Sequence, residues 1–149
     1  NSAAVASFED CAAAGYSITE SYPKQCRTPD GTTFVEYIGN ELEKVDLIRV
    51  NSPRPNQTIS SPFVLEGEAR GNWFFEASFT VRLFDSHGNE LAIAIAQAHE
   101  EWMTEEFVPF YATLEFELPD TESGTLVLEK DNPSGLPELD DSLIIPVRF

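Results

Sequence analysis

The chain has 149 residues, room for one ordinary domain and a modest extension, and 42% of them are hydrophobic, which excludes a disordered polymer. Its 26 acidic and 9 basic residues give a formal net charge of −17, which disfavours nucleic acid and anionic membrane surfaces as partners. No apolar run approaches the roughly 18 residues a membrane helix needs; the longest, Leu91 to Ala96, is strand-sized.

The chain opens at Asn1 without a charged-then-apolar leader, so the expectation is that any signal peptide has been removed, with a lipid anchor upstream of Asn1 left open. Ser7 with Asp10 three residues on is a capping-box pattern, and Gly15 stands where a C-terminal cap falls, which predicts a helix over about 8–14 carrying Cys11. Thr28-Pro29-Asp30-Gly31 predicts a turn, because proline presets φ and glycine accepts positive φ; a short β run follows over 32–37. Cys11 and Cys26 are the only cysteines, and His87 and His99 lie far along the chain, so a disulfide is a better reading than a zinc site. Such a bridge implies an oxidising compartment and stabilises by about 3 kcal/mol through loop entropy. Residues 1–43 are thus read as a small disulfide-clipped αβ segment and 44–149 as a separate domain.

From Val45 onward the hydrophobic period becomes two, with turn signals every ten to fifteen residues or so. Strands are predicted at 45–50, 63–69, 76–85, 90–98, 110–118, 124–130 and 143–149. The alternation is clearest where Ala112, Leu114, Phe116 and Leu118 share one face, and again at Leu143, Ile145, Val147 and Phe149. Pro146 confines the last strand to an edge or to its unpaired side. No connection is long enough for a helical crossover, so the fold class is all-β: a seven-stranded antiparallel immunoglobulin-like sandwich.

Within that domain, Ser52-Pro53, Ser61-Pro62, Gly67-Glu68-Ala69, the aromatics Trp73 to Phe75, and Asp85 with Gly88 follow a recognisable pattern. On these residues, and on Trp102 and the closing Ile145-Pro146-Val147, the stretch 45–149 resembles the immunoglobulin-like domain of bacterial spore-germination proteins. The resemblance implies an immunoglobulin-like fold and an envelope or extracellular setting, and no reaction. The stretch from Phe8 to Glu36 also resembles a short two-cysteine motif at the start of small exported bacterial proteins, which brings no activity.

The candidate binding residues are aromatic. Trp73, Phe74 and Phe75 are consecutive, and Trp102, Phe107, Phe110 and Tyr111 form a second group, with Arg70 placed to stack on or cap them. Should the groups meet at one end of the sandwich, they form a platform for a peptide, glycan ring or protein; the alternative, which is favoured, is that they plug the open end of the core. Asp85, Asn89 and Glu90 form one acidic turn and Glu138, Asp140 and Asp141 another, but neither has the spacing of a calcium loop, so no metal and no cofactor are expected. Leu91, Ile93, Ile95 and Gln97 share a face with His99, which reads as a rim residue rather than a base. No nucleophile elbow, zincin helix or phosphate loop occurs, so no catalytic residues are assigned and the chain is not read as an enzyme.

The reading is therefore a non-catalytic, monomeric, extracytoplasmic binding or assembly module, meeting a protein or cell-wall glycan partner in the envelope in germination or cell-wall processes. A structural spacer docking by its edge strands, 143–149 or 45–50, is the alternative. An inhibitor-like loop on the Cys11–Cys26 clip is the weaker one.

Overall fold

A computed structural model describes residues 5–149. The chain divides into two compact units, one ending at Ile38 and the other running Gly39–Phe149.

In the first unit, helix α1 (Phe8–Ala13) starts where the cap was expected: Ser7 Oγ accepts from the Asp10 N–H at 3.1 Å, and the Asp10 carboxylate accepts from the Ala6 N–H at 3.2 Å. Gly15 ends it in the left-handed region at φ +83°. Strands β1 (Ser17–Ile18), β2 (Gln25–Arg27) and β3 (Thr33–Val35) form an antiparallel sheet in that order; the run expected at 32–37 is shorter and has two companions. A Cys11–Cys26 disulfide ties the helix to the middle strand across a Cα–Cα distance of 6.1 Å. At the β2–β3 turn the Gly31 N–H donates to the Thr28 carbonyl at 3.0 Å. The Thr28 hydroxyl and the Thr32 N–H both donate to Asp30, holding its carboxyl below the usual carboxylate range.

The second unit begins earlier than the boundary at 43/44 read from the sequence. Asn40 is bonded to the last strand through its own N–H to Ile144 O (3.2 Å), its amide Nδ2 to Ser142 O (3.0 Å) and its Oδ1 from the Ile144 N–H (2.7 Å). The short helix α2 (Glu41–Lys44) follows, and Lys44 pairs with Asp141 at 2.6 Å. These contacts carry residues 39–43 into the β-unit.

Eight strands build its sheet: β4 (Ile48–Ser52), β5 (Gln57–Thr58), β6 (Phe63–Arg70), β7 (Ser78–Asp85), β8 (Glu90–Ala98), β9 (Phe107–Leu114), β10 (Ser123–Glu129) and β11 (Ser142–Arg148), in the order β4-β6-β9-β8-β7-β10-β11-β5. The expected count of seven misses β5, whose two residues are too few to show alternation. The sheet is also not wholly antiparallel. β5 runs parallel to β11, with Val147 opposite Gln57 and Arg148 opposite Thr58, and needs no local crossover because the two strands are distant in sequence.

β11 is accordingly not the free edge that the spacer reading required. β10 covers one side; Asn40, the Asn56 N–H to Pro146 O (2.6 Å) and the Ile59 N–H to Arg148 O (2.8 Å) cover the other. Pro146 turns its missing N–H toward this thinly paired side, as its chemistry demands. β4 does lie at the end of the strand order.

The sheet curls, and within it β8 and β9 pair only at Gln97↔Tyr111 and Ala98↔Phe110. Inside the curl lie Leu65, Trp73, Phe79, Phe110, Leu126 and Ile145, all essentially inaccessible to solvent. The Phe79 ring of β7 meets the Phe110 ring of β9 edge to face at 4.9 Å, and Phe74 meets Phe79 at 5.3 Å, placing an aromatic triad at the centre. β9 starts at Phe107 and ends at Leu114; of the face expected over 110–118, Ala112 and Leu114 are buried on the strand, Phe116 lies beyond it but still packs against the core with its N–H donating to Ser61 Oγ, and Leu118 is exposed.

Candidate binding surface at the aromatic end

The eight residues singled out from the sequence are not one platform. Trp73, Phe74 and Phe110 are buried in the core. β6 ends in a 3-10 turn over Gly71–Trp73 that swings both Trp73 and Phe74 inward, and Phe110 sits on the inner face of β9. These three are therefore packing residues and not contact residues. Trp73 carries a cost: among the described residues its indole N–H is buried without an acceptor.

Phe107 and Arg70 do come together, in a structural contact. The Phe107 ring lies between two guanidinium groups, Arg70 at 4.0 Å and Arg49 at 4.1 Å from its centroid. Both cations also hold backbone: Arg70 donates to Asp46 O (2.9 Å) and Glu105 O (3.2 Å), and Arg49 donates to Val45 O (2.8 Å) while pairing with Glu68 at 3.4 Å. Tyr111, partly exposed on the outer face of β9, stacks on His99 at 4.4 Å.

Phe75 and Trp102 form a pair at the core's margin, Phe75 exposed and Trp102 partly buried against the core. Their rings meet edge to face at 6.4 Å, joining the two aromatic groups at the surface, and Phe75 remains 41% exposed. Phe75 opens a two-residue hairpin: its N–H and that of Ser78 bond each other's carbonyls at 2.9 and 3.1 Å, around Glu76 at φ +52° and Ala77 at φ +65°. That is the conformation Asn-Gly favours, and it costs these residues on the order of 1 kcal/mol each. From the other side, the 102–104 loop sits directly on Gly71, where a Cβ would come within 2.2 Å of Trp102 O and 1.9 Å of Thr104 O. Met103, next to Trp102 in sequence, is 73% exposed. Glu76 follows Phe75 in sequence, and Glu100, Glu101, Glu105 and Glu106 flank Trp102 and Met103; all five are exposed and without an ion pair among the described residues. Sequence reading missed Met103, Gly71 and the Glu76-Ala77 turn; no signal marks a turn made of Glu and Ala.

A family model, the immunoglobulin-like domain of bacterial spore germination, matches residues 47–135. The chain belongs to that family. The match spans β4 to β10 with the whole aromatic end; β11 lies beyond it, joined along its length to β10. Comparison with curated proteins and with solved structures found no match. The pattern residues of this germination-type domain have structural tasks. Gly67 lets the β4 backbone pass, since a Cβ there would meet Arg49 O at 2.2 Å.

Asp85 organises the β7–β8 turn. Its carboxylate accepts the His87 and Asn89 N–H groups, each at 2.9 Å, and the Asn89 amide at 3.1 Å. The Asn89 backbone N–H foremost, then its side chain and His87, hold the Asp85 carboxyl below the usual range. Glu90 pairs with Arg82 at 2.6 Å, so this acidic turn is spent on the hairpin itself. Asp140 and Asp141 line an open polar cleft of about 660 Å³ with Asn40, Lys44, Glu129 and Asn132; Asp140 accepts from Asn132 Nδ2 at 2.7 Å. No group of three or more metal-ligating side chains occurs among the described residues.

Proposed function

We propose that this germination-type domain is a non-catalytic binding and assembly module of the bacterial envelope, working outside the cytoplasm and docking through the Phe75–Trp102–Met103 surface. We read the curled sheet as an immunoglobulin-like sandwich, a reading supported by the Phe79–Phe110 contact between strands that are not neighbours. Exposed Phe75, held on an unfavourable turn and resting edge to face on a partly buried Trp102 whose loop is backbone-tight, carries the docking assignment together with exposed Met103. Five exposed glutamates without an ion pair among the described residues, near these residues in sequence, favour a basic protein surface over an anionic wall polymer. The Cys11–Cys26 bridge supports the extracytoplasmic setting, and no helix among the described residues is long and apolar enough to cross a membrane.

The test is retention of the full chain on envelope fractions, compared with a Phe75→Ser/Met103→Ser variant of matched thermal stability. The variant is expected to wash off, and wild-type retention to weaken with salt. Equal retention of both proteins removes this surface from the function.

A further inference from the structure

On β8 the polarity of the sheet is reversed. Its neighbour β7 presents Phe79, Val81 and Leu83 inward, all buried, and in register with them β8 places Ala96, Ala94 and Ala92. Small residues fit there because the large ones of β7 already fill the core. Ile93 and Ile95 consequently face outward, 55% and 52% exposed, beside Arg82 and Thr80. The sequence suggested one face of Leu91, Ile93, Ile95 and Gln97, and it is the outer one at Ile93 and Ile95.

β8 also has an open edge. From Glu90 to Ala96 it pairs with β7 on one side, while its ladder to β9 comprises only Gln97 and Ala98. The other edge of this stretch has no strand partner among the described residues, and an open edge with apolar side chains recruits another strand.

We infer that this edge pairs with the same edge of a second copy of the chain, making a two-fold dimer in place of the monomer expected from the sequence. The occupant follows from the residues themselves. Ala92-Ile93-Ala94-Ile95-Ala96 reads identically in both directions. Antiparallel pairing centred on Ala94 therefore sets each Ile93 opposite Ile95 of the second copy, and alanine opposite alanine, at the roughly 5 Å spacing of cross-strand neighbours. Charge permits the approach. In a chain of net charge −17, residues 91–98 carry none, and the nearest carboxylate, Glu90, is matched within its own chain by Arg82, which also binds Glu129 at 2.9 Å. Five paired residues from each copy make a small interface, and association is expected at micromolar concentration or above. The like net charges of the two copies make it strengthen with salt.

Sedimentation of the full chain from micromolar to millimolar concentration tests this. A dimer fraction that rises with concentration and with salt is expected, and Ile93→Lys or Ile95→Lys should leave a monomer throughout. A geometric check stands apart from those variants: with both native cysteines bridged, oxidising a mixture of Ile93→Cys and Ile95→Cys chains should give mainly the mixed disulfide, and each chain alone little. A wild type still monomeric at millimolar concentration, a dimer that survives the lysine substitutions, or like-with-like disulfides in excess of mixed ones would each overturn the inference.

Discussion

Gly71 lies so close beneath Trp102 that a single added carbon would stand 2.2 Å from the tryptophan's carbonyl oxygen. The 102–104 loop is thus positioned by backbone against backbone, and the aromatic surface inherits its shape from that contact. On the docking role proposed above, such a fixed support under Trp102 spares the surface the cost of ordering on binding.

Gly71→Ala therefore acts by steric displacement alone, since Gly71 does not occupy the left-handed region. Displacing the loop is expected to cost about 1–3 kcal/mol, in the range of overpacked cores. Urea unfolding followed by tryptophan fluorescence measures it. Wild-type stability would show that the loop is free to move and that the support argument is wrong.

The two ends of the Trp73-Phe74-Phe75 run should respond oppositely to truncation. Trp73→Ala empties a fully buried site and is expected to cost about 3–5 kcal/mol, whereas Phe75→Ala should stay within about 1 kcal/mol. Trp73→Phe should recover much of the loss, because it deletes the indole N–H that lacks an acceptor. Comparable losses for Trp73→Ala and Phe75→Ala would contradict the division of this run between core and surface.

That division marks where the sequence stops being readable. The α1 cap, the Thr28–Gly31 turn and most strand positions were legible because each depends on neighbours a few residues away. Three consecutive aromatics carry no alternation, and the 3-10 turn that sends two of them inward depends on how Gly71 meets a loop thirty residues on. On β8 the period of two was plain, but both faces were apolar; which turned inward was decided by Phe79, Val81 and Leu83 on another strand. β5 was invisible because two residues define no pattern, and its pairing with β11 spans most of the domain.

Ala77→Gly tests the turn. At φ +65° alanine carries a conformational cost that glycine does not, so the substitution is expected to stabilise the domain by roughly 0.5–1 kcal/mol, less the extra freedom glycine brings to the unfolded chain. A rise in Tm of a few degrees is the readout. Phe75 should then keep its contact with Trp102, leaving retention on envelope fractions unchanged. A fall in Tm would mean that the left-handed pair is not strained and that its composition needs no functional explanation.

The acid sensitivity of the β7–β8 hairpin should follow Asp85. In the folded chain the Asn89 N–H, with the Asn89 amide and the His87 N–H, stabilises the carboxylate, so the folded pKa lies below the unfolded value of about 3.9. A depressed carboxyl pKa means that the unfolded chain binds the proton first. The turn's contribution is complete above about pH 3.9 and is lost as the pH falls through the lower folded value. The amide protons of His87 and Asn89 should shift together with the Asp85 carboxyl carbon in an NMR titration, at a midpoint below that of an unstructured aspartate. Asp85→Ala should abolish the coupled shift and speed amide exchange at Asn89.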